Sequence, residues 1–268
     1  MTILKFRRTV MRHYVAHGRT HLPWRRTRDP YQILVSEIML QQTQVDRVIP
    51  YFERWVQVFP TVQKLARVPL SAALKEWSGL GYNRRAKLLH ACAREIVQKH
   101  SGKIPKDFAA LVSLPAIGPY TAGAIRAFAF NEPGVFIETN IRTALIHHFF
   151  PNTINISDRM LLSYAEKAAL RQEPRTWYAA LMDYGAHIKK THPNPSRHSK
   201  HHTKQSRFEG SLRQVRGALI RALINGPITE TALLKIDEAR ASRIKQALKS
   251  LERDGMLMKK RKKWCLAA

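Results

Sequence analysis

From residue 30 to 185 apolar residues recur at three- and four-residue spacing, with Gly or Pro between the periodic stretches, which predicts helices at 32–49, 71–78, 85–99, 107–113, 120–129, 139–149, 158–170 and 175–188. Strand-like alternation is nearly absent from this part. The character changes at His187 to Phe208, where Lys189, Lys190, Arg197, Lys200, Lys204 and Arg207 stand among five His, Ser, Thr and Pro residues. That composition predicts a basic, poorly ordered connector. Beyond it, 211–225 reads as a helix, Gly226-Pro227 as a stop, Thr229 as the cap of a short helix through Lys235, and 240–254 as a helix closed by Gly255. Met256–Lys259 and Lys263–Leu266 read as two short strands joined by the basic turn Lys260-Arg261-Lys262. Helix, short helix, helix and β-hairpin is the order of a winged helix-turn-helix, a helical extension with a solvated charged end being the alternative. The expected fold is all-α, divided into a domain over 1–188, a basic His-rich loop over 189–210, and a winged-helix-like domain over 211–268.

The helical pattern contains one anomaly. Glu37 lies inside Tyr31–Val45, where its neighbours three and four positions away are Ile33, Leu34, Leu40 and Gln41, so the carboxyl points to the buried side. A desolvated carboxyl has a raised pKa and is a candidate general acid. A structural carboxylate bonded to backbone is the other reading.

Composition narrows the partner. With 268 residues and 44% hydrophobic content the chain can build one large or two modest cores, while 46 Lys and Arg against 19 Asp and Glu leave a formal charge of +27. Such an excess calls for a polyanion, and nucleic acid is the first choice. An anionic membrane surface competes, but no apolar run reaches the roughly 18 to 20 residues that span a bilayer. Lys5, Arg7, Arg8 and Arg12 interrupt any signal-like apolar run at the start. Cys92 and Cys265 alone cannot build a disulfide framework or a four-thiolate metal site, so a cytoplasmic, nucleoid-associated setting is expected. The segment Leu114-Pro-Ala-Ile-Gly-Pro-Tyr-Thr reads as a tight turn opening a helix, with Gly118 in an unusual backbone conformation, Pro119 at the first helical position and free amides from Gly118 to Thr121. Exposed amides at a helix start suit an anion such as a DNA phosphate.

These blocks together resemble a known family. Leu22-Pro-Trp-Arg25, Pro30-Tyr31, Val35-Ser-Glu-Ile-Met-Leu-Gln-Gln-Thr-Gln-Val45, Gly79-Leu-Gly-Tyr82 with Arg84, Arg85 and Ala86, the turn at Ile117-Gly118-Pro119, and Asp183-Tyr-Gly-Ala186 are similar to the helix-hairpin-helix base-excision DNA glycosylases, and within them the MutY-type adenine glycosylases. The resemblance runs from about Leu22 to Ile188. It implies a two-lobed helix-hairpin-helix domain acting on double-stranded DNA as a monomer. Excising a purine requires protonating the leaving base and stabilising an oxocarbenium-like sugar. Glu37 matches the family's acid. Glu138, in Glu138-Thr-Asn-Ile141, stands where the family has Asp in Asp-Gly-Asn-Val; its extra methylene displaces the charge, and errors of that size can cost about a hundredfold. Read without the resemblance, Glu138 is a helix cap, as is Asn140, which the resemblance makes a polar partner of the site. Tyr120 occupies the place of a Lys nucleophile in bifunctional relatives and cannot form a Schiff base, so the resemblance implies base removal without strand cleavage. Trp24 and Arg25 border the base pocket, Gln41, Gln42 and Thr43 wedge the duplex, Tyr82 intercalates, and Arg84, Arg85, Ile117, Gly118, Pro119, Thr121, Lys189, Lys190, Lys260 and Arg261 meet DNA. Where relatives carry a four-cysteine iron–sulfur loop this chain has His187 to His198, so no cluster is expected; a solvated His-rich linker is favoured over zinc. The hairpin carbonyls are a candidate site for a monovalent cation, as in relatives. Ala179 replaces the family's Glu or Gln before Ala180-Leu181, and the winged helix replaces the usual Nudix-like end. Excision of thymine or uracil opposite guanine, and a damage-sensing protein without turnover, are therefore the alternatives.

Overall fold

The computed structural model describes residues 1–203, 207–236 and 241–267. In chain order the helices are α1 (Ile3–His17), α2 (Pro30–Leu40), α3 (Val45–Val58), α4 (Val62–Arg67), α5 (Leu70–Trp77), α6 (Arg84–Lys99), α7 (Phe108–Ser113), α8 (Pro119–Phe130), α9 (Thr139–Phe149), α10 (Asp158–Ala169), α11 (Pro174–Thr191), α12 (Leu212–Leu223), α13 (Glu230–Leu234) and α14 (Ala241–Arg253). Single 3-10 turns occupy Pro23–Arg25 and Pro195–His198. Three short strands, β1 (Ile228–Thr229), β2 (Leu257–Lys260) and β3 (Lys263–Leu266), complete a mostly helical molecule.

The chain is interleaved into two compact units. Unit 1 comprises Met1–Glu37, Pro105–Ser113 and Ile117–Lys204; unit 2 comprises Ile38–Ile104, Leu114–Ala116 and Gln205–Ala268. Unit 1 is centred on Phe6, Trp177 and Tyr178, all almost fully buried, with the Phe6 and Trp177 rings edge to face at 6.2 Å. Unit 2 has its own aromatic centre, where Trp55 and Trp77 meet edge to face at 5.4 Å. Removing any of these large side chains costs about 3–5 kcal/mol. Side-chain caps start several helices: Thr2, Thr61, Ser157, Ser211 and Thr229 each accept from the amide three residues on.

The structure departs from the sequence pattern in four places. The helix expected over 32–49 stops at Leu40, Gln42 takes a left-handed φ of 54°, and a new helix starts after Gln44 and runs on to Val58. The cause is Arg85, whose Nη1 draws the carbonyls of Ile38, Met39 and Gln41 to itself and away from the helical ladder. Second, α1 and α4 had no counterpart in the pattern, since each buries only two side chains, Phe6 with Val10 and Val62 with Leu65. Third, Gly118 is ordinary extended backbone, φ −93° and ψ 178°, and the left-handed residue of the hairpin is Ala116 at φ 67°. Fourth, the basic connector is folded over much of its length. α11 continues to Thr191, Ser196 is buried with its Oγ 2.5 Å from Thr143 Oγ1, and Ser199 bridges to Ile156. Lys204 of that connector and Arg240, the expected start of the last helix, lie outside the described residues.

At the C-terminal end the expected order appears, with one addition. β1 joins the β2–β3 hairpin to give an antiparallel sheet of order β1-β3-β2, pairing Ile228 with Trp264 and Lys259 with Trp264 across the two edges of β3. Arg261 and Lys262 form a left-handed two-residue turn, φ 44° and 64°. Gly255 ends α14 at φ 62°. Among the described residues no helix is long and apolar enough to cross a membrane.

Candidate active site

Glu37 sits on the buried face of α2 and is 5% exposed, with Leu34 and Ile38 fully enclosed around it. Its Oε2 accepts the Tyr120 phenol at 2.5 Å. Burial pushes the Glu37 carboxyl up to about 7, with Glu138 adding to the rise and the Tyr120 hydrogen bond and Arg25 opposing it. The same surroundings push the Tyr120 phenol well above its ordinary value, through burial first and then the two carboxylates. Around neutral pH Glu37 is therefore present in both forms, and Tyr120 remains a donor.

Arg25, at the end of the first 3-10 turn, is almost enclosed. Its guanidinium carbon lies 5.2 Å from the Phe128 ring centroid and its Nη2 3.6 Å from Asp183 Oδ1. Nη1 of Arg25 is buried with no hydrogen-bond partner. A buried unmet donor beside an acid is the kind of group that waits for a ligand acceptor. Two residues that the sequence reading did not single out set this corner. Arg19 holds Asp183 through its backbone amide at 2.8 Å and through Nε and Nη2 at 2.9 and 2.6 Å. Arg175 donates from Nη2 to the carbonyls of Arg25 and Thr27, at 2.8 and 2.6 Å, and so pins the turn that carries Trp24. No local pattern announces Arg175, because its acceptors lie 150 and 148 residues away.

Glu138 realises the capping alternative. It is the N-cap of α9, its Oε1 accepting the amides of Asn140 at 2.7 Å and Ile141 at 2.8 Å. Its other oxygen accepts Asn140 Nδ2 at 3.2 Å, and Asn140 Oδ1 in turn accepts Lys189 Nζ at 2.8 Å. Burial raises the Glu138 pKa, while the two amides, Lys189 and Arg142 work against the rise. Asn140 thus makes side-chain bonds on both sides rather than capping the helix. The Asp183-Tyr-Gly-Ala run explains how Lys189 arrives there. A Cβ on Gly185 would stand 2.0 Å from the Asn140 carbonyl oxygen, so only glycine lets α11 approach α9 this closely.

In unit 2 the Gly79–Tyr82 turn has left-handed φ at Gly79, Gly81 and Tyr82, 99°, 89° and 51°. Arg85 is 8% exposed and bridges this turn to the end of α2, donating from Nη2 to Thr43 Oγ1 and the Gly81 carbonyl, each at 3.0 Å. It was expected on DNA; its hydrogen bonds instead shape the turn that carries Gln41, Gln42 and Thr43. Tyr82 is half-buried, its hydroxyl accepts Arg213 Nη1 from α12, and the Arg213 guanidinium lies 4.9 Å from its ring centroid.

Of the remaining expected contacts, Arg84, Lys190, Lys260 and Arg261 are exposed. Ile117 and Thr121 are buried at 4% and 2%, which leaves their backbone as what they can offer a phosphate. Pro119 opens α8, and no side chain caps that helix. For metal ligands the donor set is poor. Cys92 is enclosed in α6 with its thiol pushed up to about 12, and Cys265 lies on β3, so four thiolates cannot be assembled. His187 packs against His13 and His192 against His147, each pair with ring centroids 4.7 Å apart. Among the described residues no three His, Cys, Asp or Glu are grouped to hold a metal ion.

A protonatable buried carboxyl and a second carboxylate supported by cations thus lie in a strongly basic, mostly helical chain. Residues 35–168 match the family model described as HhH-GPD superfamily base excision DNA repair protein, and the chain belongs to that family. It is 39% identical over 189 residues to an adenine DNA glycosylase of Buchnera aphidicola subsp. Baizongia pistaciae, covering 70% of this chain and 54% of that protein. It is 33% identical over 264 residues to an adenine DNA glycosylase of Mycolicibacterium smegmatis, covering 90% and 89%. Among solved structures it is similar to a thermostable thymine-DNA glycosylase, with TM-score 0.61, 26% identity, and coverage of 69% of this chain and 86% of that one. The chain thus spans about half the length of the first relative and most of the second.

Proposed function

We propose that the protein is a monofunctional DNA glycosylase of base excision repair that removes adenine mispaired with guanine or 8-oxoguanine. The observation that carries this reading is Glu37, a carboxyl in apolar surroundings whose pKa is pushed to about 7. Such a group delivers a proton to a leaving base at neutral pH and is restored from solvent afterwards. Glu138 faces the sugar cation that develops as the bond to the base breaks, and water completes the hydrolysis. Trp24 and Arg25 receive the extruded base, with Arg25 Nη1 as the donor awaiting an acceptor. Gln41, Gln42, Thr43 and Tyr82 fill the gap left in the duplex. Tyr120 has no amine, so the sugar is released without a Schiff base and the strand stays intact.

DNA is held by the backbone of Ile117, Gly118 and Thr121 on either side of Pro119, by Arg84 and Lys190, and by the exposed turn at Lys260 and Arg261. The element order from α12 to β3 supports reading 211–268 as a winged helix on a domain spanning 1–188, with 189–210 between them. The chain works without an iron–sulfur cluster and acts as a monomer in the cytoplasm, at the nucleoid. A monovalent cation at the hairpin carbonyls belongs to the same proposal.

Thymine excision opposite guanine is the second reading. It is favoured by Ala179, a small residue, 2% exposed, where a Glu or Gln would narrow the pocket, and by the likeness to a thymine-DNA glycosylase. Single-turnover excision on end-labelled duplexes carrying A opposite 8-oxoguanine, A opposite G, T opposite G and U opposite G decides between them. Excision of A alone, revealed by alkali and lost in Glu37→Gln, is the expected result. Excision of T or U moves the assignment to the second reading, and turnover of none to a damage-sensing protein. Strand breaks without alkali, with a borohydride-trapped complex, overturn the monofunctional assignment.

A further inference from the structure

We propose that Lys189 is a positioning residue for the second carboxylate, holding Asn140 and Glu138 in place from α11, rather than a clamp for a DNA phosphate. This rests on the reading of Glu138 as the group that stabilises the sugar cation. Gly185 brings α11 against the Asn140 backbone, and Lys189, one helical turn later, lies on the same face of α11. Its Nζ donates to Asn140 Oδ1 at 2.8 Å, and Asn140 Nδ2 donates onward to Glu138 Oε2 at 3.2 Å. The side chain is half-buried, whereas its neighbour Lys190 is exposed. Burial lowers the Lys189 pKa and Glu138 opposes that fall, as expected for a cation facing a carboxylate.

Four titratable or charged groups face Glu138: Glu37 from α2, Tyr120 from α8, Arg142 from α9 and Lys189 from α11. Arg142 is already bound to Asp158 by two hydrogen bonds of 2.8 and 2.7 Å. Lys189 is therefore the cation whose hydrogen bonding runs into the Glu138 network. Its charge opposes the effect of burial on Glu138 and favours the ionised form that a sugar cation needs. Glu138 is one methylene longer than the family's Asp, and a bond through Asn140 to a fixed ammonium limits where that longer side chain places its charge.

The test is the pH profile of single-turnover adenine excision by the full chain, compared among wild type, Lys189→Met, Lys189→Gln and Lys189→Arg. Activity requires Glu37 protonated and Glu138 ionised, so the profile is bell-shaped and its acid limb reports Glu138. Without the ammonium, Glu138 keeps its proton to higher pH. We expect the acid limb of the Met and Gln variants to move towards neutral pH, with the rate at pH 6 falling about tenfold more than the rate at pH 8. The Arg variant restores the limb. Having two neutral variants guards against one of them failing to fold. A phosphate contact behaves differently: its loss weakens binding to matched and mispaired duplexes alike, lowers the salt dependence by about one ion, and leaves the limb in place. That outcome overturns the inference. Glu138→Gln separates this inference from the reading beneath it. If Glu138→Gln is inactive and the neutral Lys189 variants keep the wild-type limb, the inference alone fails. If Glu138→Gln excises at the wild-type rate, the reading of Glu138 fails and takes the inference with it.

Discussion

The surroundings of Glu37 in unit 1 and of Arg85 in unit 2 show opposite uses of a buried charge. Arg85 is enclosed, yet its two terminal nitrogens reach five acceptors, the carbonyls of Ile38, Met39, Gln41 and Gly81 and the Thr43 hydroxyl. Glu37 is as deeply enclosed but carries one short bond, from Tyr120, and beside it Arg25 keeps a buried donor without a partner. The difference teaches where to look for chemistry. A charge whose terminal nitrogens are all engaged, as those of Arg85 are although its Nε is buried without a partner, holds a turn in shape, whereas one with an unmet terminal donor or a single bond is costly to the fold and available to a substrate.

The contrast is broken or sharpened by a short series of variants. Glu37→Gln has the largest expected effect, a loss of about 10²- to 10⁴-fold in single-turnover excision while binding to a mispaired duplex persists. A variant that turns over normally means the proton comes from elsewhere. Next is Arg85→Met, which leaves its acceptors unmet and lowers stability by about 2–4 kcal/mol in denaturant unfolding. An unchanged midpoint would remove Arg85 from the scaffold.

Glu37→Gln should do the reverse to stability. The folded-state pKa of Glu37 is raised from 4.5 to about 7, so the folded state binds more protons than the unfolded chain between these values, and stability falls as pH rises through that window. The variant lacks this loss. It is expected to be more stable than wild type by up to about 3 kcal/mol at pH 8, with the advantage vanishing below about pH 4.5. Equal stability at both pH values contradicts the burial argument.

Smaller still is the coupling of Arg213 to Tyr82. Arg213→Met and Tyr82→Phe each weaken mispair binding, and a double-mutant cycle should show about 1 kcal/mol of non-additivity; strictly additive losses separate the two side chains. Least of all, Lys260→Ala with Arg261→Ala should weaken binding a few-fold and lower the salt slope by about two, equally for every duplex. A loss confined to mispairs points to recognition instead of charge.

Much of the helical order was legible because it is local. The stretch 139–149 coincides with α9, and the cap at Thr229, the glycine end at Gly255 and a basic turn between the two last strands were visible as short-range signals, although the turn is two residues, 261–262, with Lys260 in β2. The burial of Glu37 was legible too, since it follows from which residues stand three and four positions away. The features that escaped are made by distant partners. Nothing within α2 predicts a stop at Leu40, because the guanidinium that draws off its carbonyls arrives from position 85. Lys189 looks like any other cation in a basic loop until Gly185 lets its helix close on Asn140. Arg19 and Arg175 likewise act across most of the chain.

The interleaved course of unit 1 bears on how the protein is made. Glu37 leaves the ribosome 83 residues ahead of Tyr120, and Asn140 leaves it 49 residues ahead of Lys189. Arg19 waits 164 residues for Asp183. At a synthesis rate of about 5–20 residues per second, an acid-bearing helix therefore spends on the order of ten seconds or more without the side chains that enclose it. Unit 2 intervenes with residues 38–104, an uninterrupted run of sequence carrying α3 to α6 that can begin to pack while unit 1 is still incomplete. Translation thus delivers residues 38–104 of unit 2 before the reactive corner can close, because that corner waits for Asp183 and Lys189.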